Sequence, residues 1–286
     1  MEKATKYILG VLVLLLFFLW AEIVRSPSDN NVHIYFFNVG QGDSILIEKG
    51  SYQILIDGGP DDSLLSRLGK SMPISDRKIE TVILTHPHSD HLRGIDLVLD
   101  CYEVGEVYST GVLHTSNTHL EFLEKIKEKN IVYKIPKIGE SITPYENAKL
   151  EFLWPGEKYN GQTVENLNNT SEVSRFCYYS ECVFLPGDLE IDGQNEMFGK
   201  SEKENIEIKS DLLKIPHHGS INANGEILYD KIIPTYAVIS VGADNKFGHP
   251  HIKTLDILEK KGIRPYRTDR DGTIEFILKE NEIVKN

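Results

Sequence analysis

The chain has 286 residues and a formal net charge of −12 at pH 7, with 40% hydrophobic and 26% charged residues. This is the composition of a globular protein, and it excludes a disordered chain, a collagen-like repeat and a disulfide-rich miniprotein. The acidic balance also argues against a broad basic surface that coats nucleic acid.

The first 25 residues differ from the rest of the chain. Residues 7–21 form an uninterrupted apolar run, preceded by Lys3 and Lys6 and followed by a polar linker at 26–31. The run has no polar face, so it does not predict a buried amphipathic core helix. Two interpretations remain: an uncleaved signal anchor, or a signal peptide that is removed so that the rest of the chain is secreted.

We favour the signal anchor. Trp20-Ala21-Glu22 is a poor match to the small residues of a cleavage site. A membrane span takes about 17–25 apolar residues, which the run reaches if Ile23 and Val24 extend it. The lysines before the run place the amino end in the cytoplasm and the domain that follows outside it. Removing the three basic and two acidic residues of 1–25 changes the net charge from −12 to −13, so this domain remains acidic.

Residues 32–286 are predicted to form one domain in which strands and helices are mixed. Strand-heavy segments come first and crossovers later, which predicts an α/β (α+β) fold of two sheets with outer helices rather than a purely parallel doubly wound sheet. Residues 157–174, which are polar, predict a long loop near a functional edge. The predicted strands are Val32–Val39, Ser44–Glu48, Gln53–Ile56, Glu80–Leu84, Val104–Tyr108, Val132–Ile135, Leu150–Leu153, Val173–Tyr178, Cys182–Leu185, Asp211–Ile215, Tyr236–Val241 and Thr273–Leu278. The predicted helices are Asp90–Leu99, Thr118–Lys129, Gly225–Ile232 and Thr254–Lys261.

Three cysteines are too few for a disulfide framework or a four-cysteine zinc site. Cys177 and Cys182 lie on neighbouring predicted strands, so a bridge between them is one interpretation. We favour the other, in which both are small buried hydrophobic side chains.

Seven of the ten histidines fall in three short clusters, each after a predicted strand. The first cluster contains His86, His88, Asp90 and His91 within six residues. Imidazole and carboxylate groups are common ligands of zinc, manganese and iron. At this spacing they converge from an irregular loop, with Asp90 placed to cap the next helix. The alternative is a polar turn with incidental histidines, and the density of ligands favours the metal site.

The later clusters are weaker when taken singly. Asp188 follows a strand in a Gly-Asp turn, and beside a metal site it is suited to bridge two cations about 3.5–4 Å apart. His217 and His218 precede Gly-Ser, so a surface turn is the alternative there. His249 and His251 flank Pro250, which suits the first position of a helix. That helix start would favour an anionic ligand near His249, whereas a plain helix start is the alternative.

Taken together, these motifs resemble the metallo-β-lactamase superfamily over about residues 32–279, and within it the extracellular hydrolase domain of ComEC-type competence proteins and their stand-alone relatives. The resemblance implies an αββα sandwich with its site at one edge, between the sheets. The matching segments are 37–44 (FNVGQGDS, ending with Asp43 and Ser44), 55–59 (LIDGG), 85–91 (THPHSDH), 185–190 (LPGDLE), 217–220 (HHGS), 239–243 (ISVGA) with 249–251 (HPH), and 268–269 with 272–273.

The resemblance also implies roles for individual residues. His86 and His88 would hold a first divalent metal ion, zinc or manganese, and Asp90, His91 and His218 a second one. Asp188 would bridge the two metals, and Asp57 would orient a ligand histidine. The family's usual third histidine on the first metal has no counterpart here. The matching region contains Asn168 and Ser171, of which Asn168 is the candidate to complete that site. Asp43 and His251 would lie behind the ligands or near the substrate.

The function implied is a metal-dependent hydrolase, with a phosphodiesterase or nuclease favoured. Asp90 would hold the attacking water that the metals activate, and His217 and His249 would face the scissile group. The expected partners are the membrane, through the amino-terminal segment, and a small phosphodiester or short nucleic acid. One alternative is a metallohydrolase of esters, lactones or β-lactams, and another is a non-catalytic binding module with a structural metal.

Overall fold

The computed structural model describes residues 2–25 and 30–286. The first helix, α1, runs from Glu2 to Arg25, and its stretch Lys3–Trp20 is exposed and is long and apolar enough to cross a membrane. Most of the predicted linker at 26–31 lies outside the described residues.

The first sheet has eight strands in the order β15-β14-β1-β2-β3-β4-β5-β6. Pairing is antiparallel from β15 to β3 and parallel from β3 to β6. Its strands are β1 (Val32–Phe36), β2 (Ile45–Lys49), β3 (Tyr52–Ile56), β4 (Lys78–Leu84), β5 (Glu103–Ser109), β6 (Val132–Lys134), β14 (Ile274–Leu278) and β15 (Ile283–Lys285).

The second sheet has seven strands in the order β13-β12-β11-β10-β9-β8-β7. Pairing is antiparallel from β7 to β10 and parallel from β10 to β13. Its strands are β7 (Ser141–Ile142), β8 (Ala148–Trp154), β9 (Val173–Tyr178), β10 (Glu181–Leu185), β11 (Leu212–Lys214), β12 (Tyr236–Ile239) and β13 (Arg264–Arg267).

Helices cover the outer face of each sheet. A core between the sheets contains Phe36, Phe152 and Phe176, and two further cores lie between each sheet and its helices. The predicted αββα sandwich is therefore confirmed. Helices α2 (Ser63–Ser71), α3 (Ser89–Cys101) and α4 (Asn117–Glu128) pack on the first sheet, and α5 (Ile191–Glu204), α6 (Glu226–Ile232) and α7 (Ile252–Lys260) on the second, with α8 (Thr268–Asp271) following β13.

Six elements are absent from the sequence prediction, and each has a weak pattern. Strand β7 has only two residues and α8 only four. Helix α2 is short, and α5 has two glycines and few apolar residues. Strand β13 contains Pro265, which is tolerated because β13 is an edge strand. Strand β15 has only three residues.

The preference for unbridged cysteines is wrong. Cys177 and Cys182 lie opposite each other on β9 and β10 and form a disulfide. A two-residue turn, Tyr179-Ser180, joins the strands, so Tyr178 pairs with Glu181 and the cysteines form the next pair. The spacing of five residues around a tight turn was the signal for this bridge.

Candidate metal centre

The candidate site lies where strands of both sheets end. Strands β3 and β4 of the first sheet lead directly into Asp57 and Thr85, and β10 and β11 of the second lead into the turns that carry Asp188 and His218. Ligand sites of α/β sheets lie at the carboxyl ends of strands. The fold therefore gathers side chains that are up to 161 residues apart, from Asp57 to His218, at one edge.

The first histidine cluster is only partly a loop. His86 is buried and His88 half-buried, and α3 begins at Ser89, so Asp90 and His91 lie in its first turn. The expectation that Asp90 caps the helix is wrong, because His88 occupies the N-cap position and no side chain caps there. The turn of the helix instead directs Asp90 and His91 to the site.

One aspartate orients two histidines. The Nδ1 of His91 donates to Oδ2 of Asp57 over 2.7 Å, since a carboxylate only accepts. The Oγ1 of Thr85 also donates to Oδ2 of Asp57 (2.7 Å), which leaves its lone pair to accept from Nδ1 of His86 (3.1 Å). In a neutral ring the Nε2 of each histidine then carries a lone pair, as a metal ligand requires, and the Nε2 of His86 lies 2.9 Å from Nδ1 of His88.

Close backbone contact holds Asp57 in this position. Gly58 donates to the carbonyl of His91 (2.6 Å), and a Cβ on Gly94 would lie 1.8 Å from the Gly58 carbonyl oxygen. Asp57 itself has a φ of 57°, which aspartate tolerates better than most residues. The Asp-Gly-Gly segment is thus required for β3 to approach α3.

His217 and His218 lie in a tight turn, Pro216–Gly219, and both have left-handed backbone φ angles of 48° and 54°. Such strain in non-glycine residues persists where the surrounding structure fixes it, and functional sites are common examples. The Nδ1 of His218 donates to the carbonyl of Ser240 over 2.9 Å. Its Nε2 therefore faces Oδ2 of Asp90 (3.4 Å) and Oδ2 of Asp188 (3.5 Å).

The convergent atoms fit a divalent metal ion. Four overlapping sets of described residues each have ligand atoms within 4.8 Å of one another: His86, His91 and Asp188; Asp90, His91 and His218; Asp43, Asp188 and His218; and Asp43, Asp57 and His91. Among the described residues, Nε2 of His91, Nε2 of His218 and Oδ1 of Asp188 are buried without a hydrogen-bond partner. Each such group costs about 1–3 kcal/mol when it is left unsatisfied. Nitrogen and carboxylate donors that face one point are a common ligand set for divalent metal ions.

The charges of the site also require a cation. Burial alone would lower the pKa of His91, but Asp188 and Asp57 outweigh it and raise that pKa well above its usual value. In the same way Asp188, Asp43 and Asp90 raise the pKa of His218 to about 10 against the effect of burial. The carboxylates thus demand positive charge among them, which protons supply to the bare histidines and a divalent ion supplies when it is bound.

Behind His218 lies a buried ion pair that the sequence analysis missed. Lys214 is fully buried, its Nζ is 2.6 Å from Oδ2 of Asp43, and it donates to the carbonyl of Ile215 over 2.9 Å. The other oxygen of Asp43, Oδ1, lies 3.4 Å from Nδ1 of His218. A lysine in the middle of an apolar strand was the available signal, because buried lysines are paired.

The predicted residues Asn168 and Ser171 reach the site from the loop before β9. The Oγ of Ser171 accepts from the backbone N–H of Asp188 (3.1 Å) and lies 3.4 Å from Nδ1 of His86. The Nδ2 of Asn168 donates to Oε1 of Glu190 (3.1 Å) and is 3.3 Å from Nδ1 of His217. Glu190 also lies 3.3 Å from that Nδ1. It ends the 185–190 motif, but the sequence did not predict a role for it.

His249 and His251 form the outer rim of the site. The ring of His249 lies 5.5 Å from that of His217 and 6.3 Å from that of His218, and burial and these two rings lower the pKa of His249 to about 4. His251 is 5.4 Å from His249 and occupies the N-cap position of α7. The expectation that Pro250 is the first residue of this helix is therefore wrong, since α7 begins at Ile252.

Comparisons with known proteins agree with this geometry. Residues 37–242 match the family model described as the metallo-beta-lactamase superfamily. ComE operon protein 3 of Bacillus subtilis is 28% identical over 262 residues, and competence protein ComA of Neisseria gonorrhoeae is 25% identical over 255 residues. These alignments cover 85% and 89% of this chain but 32% and 33% of the relatives, so the chain spans about a third of their length.

Solved structures show the same fold at low sequence identity. Zn²⁺-bound PqqB of Methylobacterium extorquens superposes with a TM-score of 0.54 at 12% identity, covering 86% of this chain and 99% of that one. YhfI of Bacillus subtilis, a metallo-beta-lactamase fold protein, gives 0.52 at 14% identity, covering 90% and 100%.

Proposed function

The chain belongs to the metallo-β-lactamase superfamily, and from this premise we propose that it is a membrane-anchored hydrolase that cleaves phosphodiesters outside the cytoplasm with the help of divalent metal ions. The observation that carries the proposal is the set of buried, unpartnered ligand atoms of His91, His218 and Asp188 at one strand edge. Leaving these atoms unsatisfied lowers the stability of the fold, and a metal ion bound for hydrolysis would satisfy them.

The proposed roles follow from the ligand sets and, for His88, which lies in none of those sets, from the family resemblance. His86 and His88 would hold one metal ion and Asp90, His91 and His218 the other, with Asp188 between them. A bound divalent ion lowers the pKa of a water ligand to about 7 and neutralises charge that develops on the substrate.

Two residues are placed to handle protons and charge at the substrate. Asp90 is half-buried and ionised, because His218 and His91 outweigh burial and hold its pKa well below the usual value. Its carboxylate would orient the attacking water and accept its proton. Nδ1 of His217 lies 3.3 Å from Oε1 of Glu190, so its Nε2 faces the centre, 3.9 Å from Oδ2 of Asp188. We assign it, with His249 beside it, to the charge on a nonbridging oxygen of the substrate.

The name of one relative favours a phosphodiester substrate over an ester, lactone or β-lactam. One curated relative, from Haemophilus influenzae, is named recombination protein 2 and is 26% identical over 240 residues. Recombination acts on DNA, whose backbone consists of phosphodiesters. The aspartates of the site draw cations to one point, and a single phosphate can be bound there by an otherwise acidic protein.

Two features support a location outside the cytoplasm. The apolar run of α1 follows Lys3 and Lys6, which favours a cytoplasmic amino end. The Cys177–Cys182 disulfide is typical of an oxidising compartment. Thiol titration of the folded, unreduced protein is expected to detect one free cysteine, Cys101, and detection of three would contradict this location.

The test uses the full chain purified in detergent. Metal analysis is expected to find zinc or manganese, and bis(4-nitrophenyl) phosphate is expected to be hydrolysed faster than a chromogenic cephalosporin. Asp90→Asn should lower kcat by at least about 100-fold, the range of a lost general acid–base group. Asp100→Asn, an exposed change on the same helix, serves as the matched control.

Each alternative function has its own result in these assays. Faster turnover of the cephalosporin would indicate a lactamase-like enzyme. Bound metal without turnover of either substrate would indicate a binding module with a structural metal. Absence of bound metal, with no activity after metal addition, would contradict the proposed metal centre itself.

A further inference from the structure

We propose that Phe247 and Lys246 form a subsite for an unpaired nucleobase beside the scissile phosphate, so that the substrate is single-stranded nucleic acid. The proposal rests on the proposed phosphodiesterase function and narrows it to one substrate class. It concerns the loop of residues 243–251, which contains none of the proposed metal ligands.

Phe247 is an exposed aromatic residue on an ordered loop. Its side chain is 55% exposed, so it contributes little to a core. Single exposed apolar residues are common on protein surfaces and alone indicate nothing. The way in which this loop is held makes Phe247 different.

Asn245 fixes the backbone on both sides of Phe247. Its Nδ2 donates to the carbonyls of Gly242 (3.0 Å) and His249 (2.7 Å). Its Oδ1 accepts from the backbone N–H groups of Phe247 (3.2 Å) and His249 (3.0 Å). One side chain therefore satisfies four backbone groups and holds an exposed ring in place before any ligand arrives, which lowers the entropy lost on binding.

The ring is connected to the metal centre through histidines. Phe247 stacks on His249 with centroids 5.8 Å apart and planes at 24°, and His249 lies 5.5 Å from His217. His217 in turn reaches Asp188. If the phosphate of a substrate lies at the metal ligands, the nucleoside next to that phosphate would lie beside the exposed ring of Phe247.

Two lysines at this rim can contact a phosphate backbone, and the loop also carries one acidic residue, Asp244. The Nζ of Lys246 lies 5.4 Å from the centre of the Phe247 ring, and Lys253 is exposed in the first turn of α7. Within the described part of the chain, neither lysine forms an ion pair with a carboxylate. An aromatic face for bases beside cations for the backbone is the arrangement that binds single-stranded nucleic acids, and each stacked base contributes about 1–3 kcal/mol.

The test compares two labelled oligomers of equal length, a single-stranded DNA and a chain of abasic residues with the same phosphodiester backbone. The full-length protein is used in detergent with its metal bound. Phe247→Ala is expected to lower kcat/KM for the DNA by about tenfold, which corresponds to about 1.4 kcal/mol of lost stacking. It should leave the abasic oligomer unchanged, and Phe247→Tyr should retain wild-type rates on both.

Tyr179→Ala provides the matched control. Tyr179 is 42% exposed and lies in the β9–β10 turn, at the far end of both strands from the candidate site. This variant removes an exposed aromatic ring without touching the rim, and it should change neither rate. Lys246→Ala is expected to weaken the salt dependence of DNA cleavage, as loss of one phosphate contact does.

The two proposals fail in different ways. If the wild type cleaves both oligomers and Phe247→Ala lowers both rates equally or neither, the nucleobase subsite is contradicted and the phosphodiesterase stands. If the wild type, loaded with metal, cleaves neither oligomer nor bis(4-nitrophenyl) phosphate, the phosphodiesterase function is contradicted, and the subsite with it.

Discussion

The hairpin of β2 and β3 has a buried acidic residue near each end, and the two lie in opposite electrostatic surroundings. Asp43 precedes β2 at the candidate metal centre, and Glu48 lies near the hairpin turn at the other end of the strand. Lys214 and His218 outweigh burial and lower the pKa of Asp43. Burial raises the pKa of Glu48 to about 7.

The difference lies in the partners that the fold provides. Asp43 has the ammonium group of Lys214 at 2.6 Å. Among the described residues, Glu48 accepts from the amide of Gln53 at 3.4 Å. The nearby carboxylates of Asp76 and Glu275 oppose its ionisation, while His33 favours it. A buried carboxylate remains charged where cations surround it and takes up a proton where they do not. The candidate site is therefore built to keep Asp43, Asp90 and Asp188 ionised.

The largest effect is expected from Lys214→Met. Methionine has a similar volume but leaves Asp43 buried without its cation, which should lower the free energy of unfolding by about 3–5 kcal/mol. Urea denaturation followed by the fluorescence of Trp154, which is buried in the second sheet, measures this change.

The double variant Asp43→Asn with Lys214→Met serves as the control for Lys214→Met. Removing both charges should recover most of the loss, because no buried charge then remains without a partner. A single Lys214→Met variant as stable as the wild type would show that the pair does not neutralise Asp43.

A smaller change in the free energy of unfolding, opposite in sign, is expected from Glu48→Gln. In the unfolded chain Glu48 ionises near pH 4.5, whereas in the folded protein it ionises near pH 7. The folded state thus binds the proton more tightly, and Glu48 lowers stability as the pH rises from about 4.5 to about 7. Glu48→Gln should remove this loss and stabilise the protein by about 2–3 kcal/mol at pH 8.

Unfolding of both proteins at pH 4.5 and pH 8 tests the assignment. The two should be nearly equal at pH 4.5 and diverge by pH 8, and effects of pH on the metal centre cancel in the difference. Glu80→Gln, on the neighbouring strand β4, is the matched control. A constant difference between wild type and Glu48→Gln across this range would contradict a raised pKa.

Local patterns predicted much of this fold, and tertiary effects account for the remainder. The histidine cluster at 86–91 was recognisable because its ligands lie within six residues after a strand. The predicted helix Asp90–Leu99 starts one residue late, because the helix start at Ser89 has no side-chain cap and such a boundary gives no sequence signal. Strand β13, which contains a proline, depends on its pairing with β12 rather than on its own residues.

The supporting residues of the site were harder to predict than the ligands. Lys214 and Thr85 act through contacts with Asp43 and Asp57, which come from strands far away in the chain. The pattern of a strand places a residue on a face but does not identify its partner. The family resemblance supplied Asp57 as an orienting group, whereas the link through Thr85 to His86 is visible only in the hydrogen bonds.

The smallest effect is expected on metal affinity, from changes to the hydrogen bonds that connect Asp57 with His91 and His86. Asp57→Asn replaces a carboxylate that accepts from both His91 and Thr85. The ring of His91 and, through Thr85, the ring of His86 then lose their common hydrogen-bond partner. Loss of such an orienting partner lowers metal affinity by about 10–100-fold. Competition with a chromogenic chelator measures this affinity directly and does not depend on any substrate.

Thr85→Val separates the two branches of the network. It removes the hydroxyl between Asp57 and His86 but leaves the bond from His91 to Asp57 intact. If Asp57 orients both histidines, Thr85→Val should weaken the binding of the metal held by His86 while the other metal binds normally. Equal weakening of both metals would mean that Thr85 supports the local backbone rather than the orientation of His86, and Asp57 would then act on His91 alone.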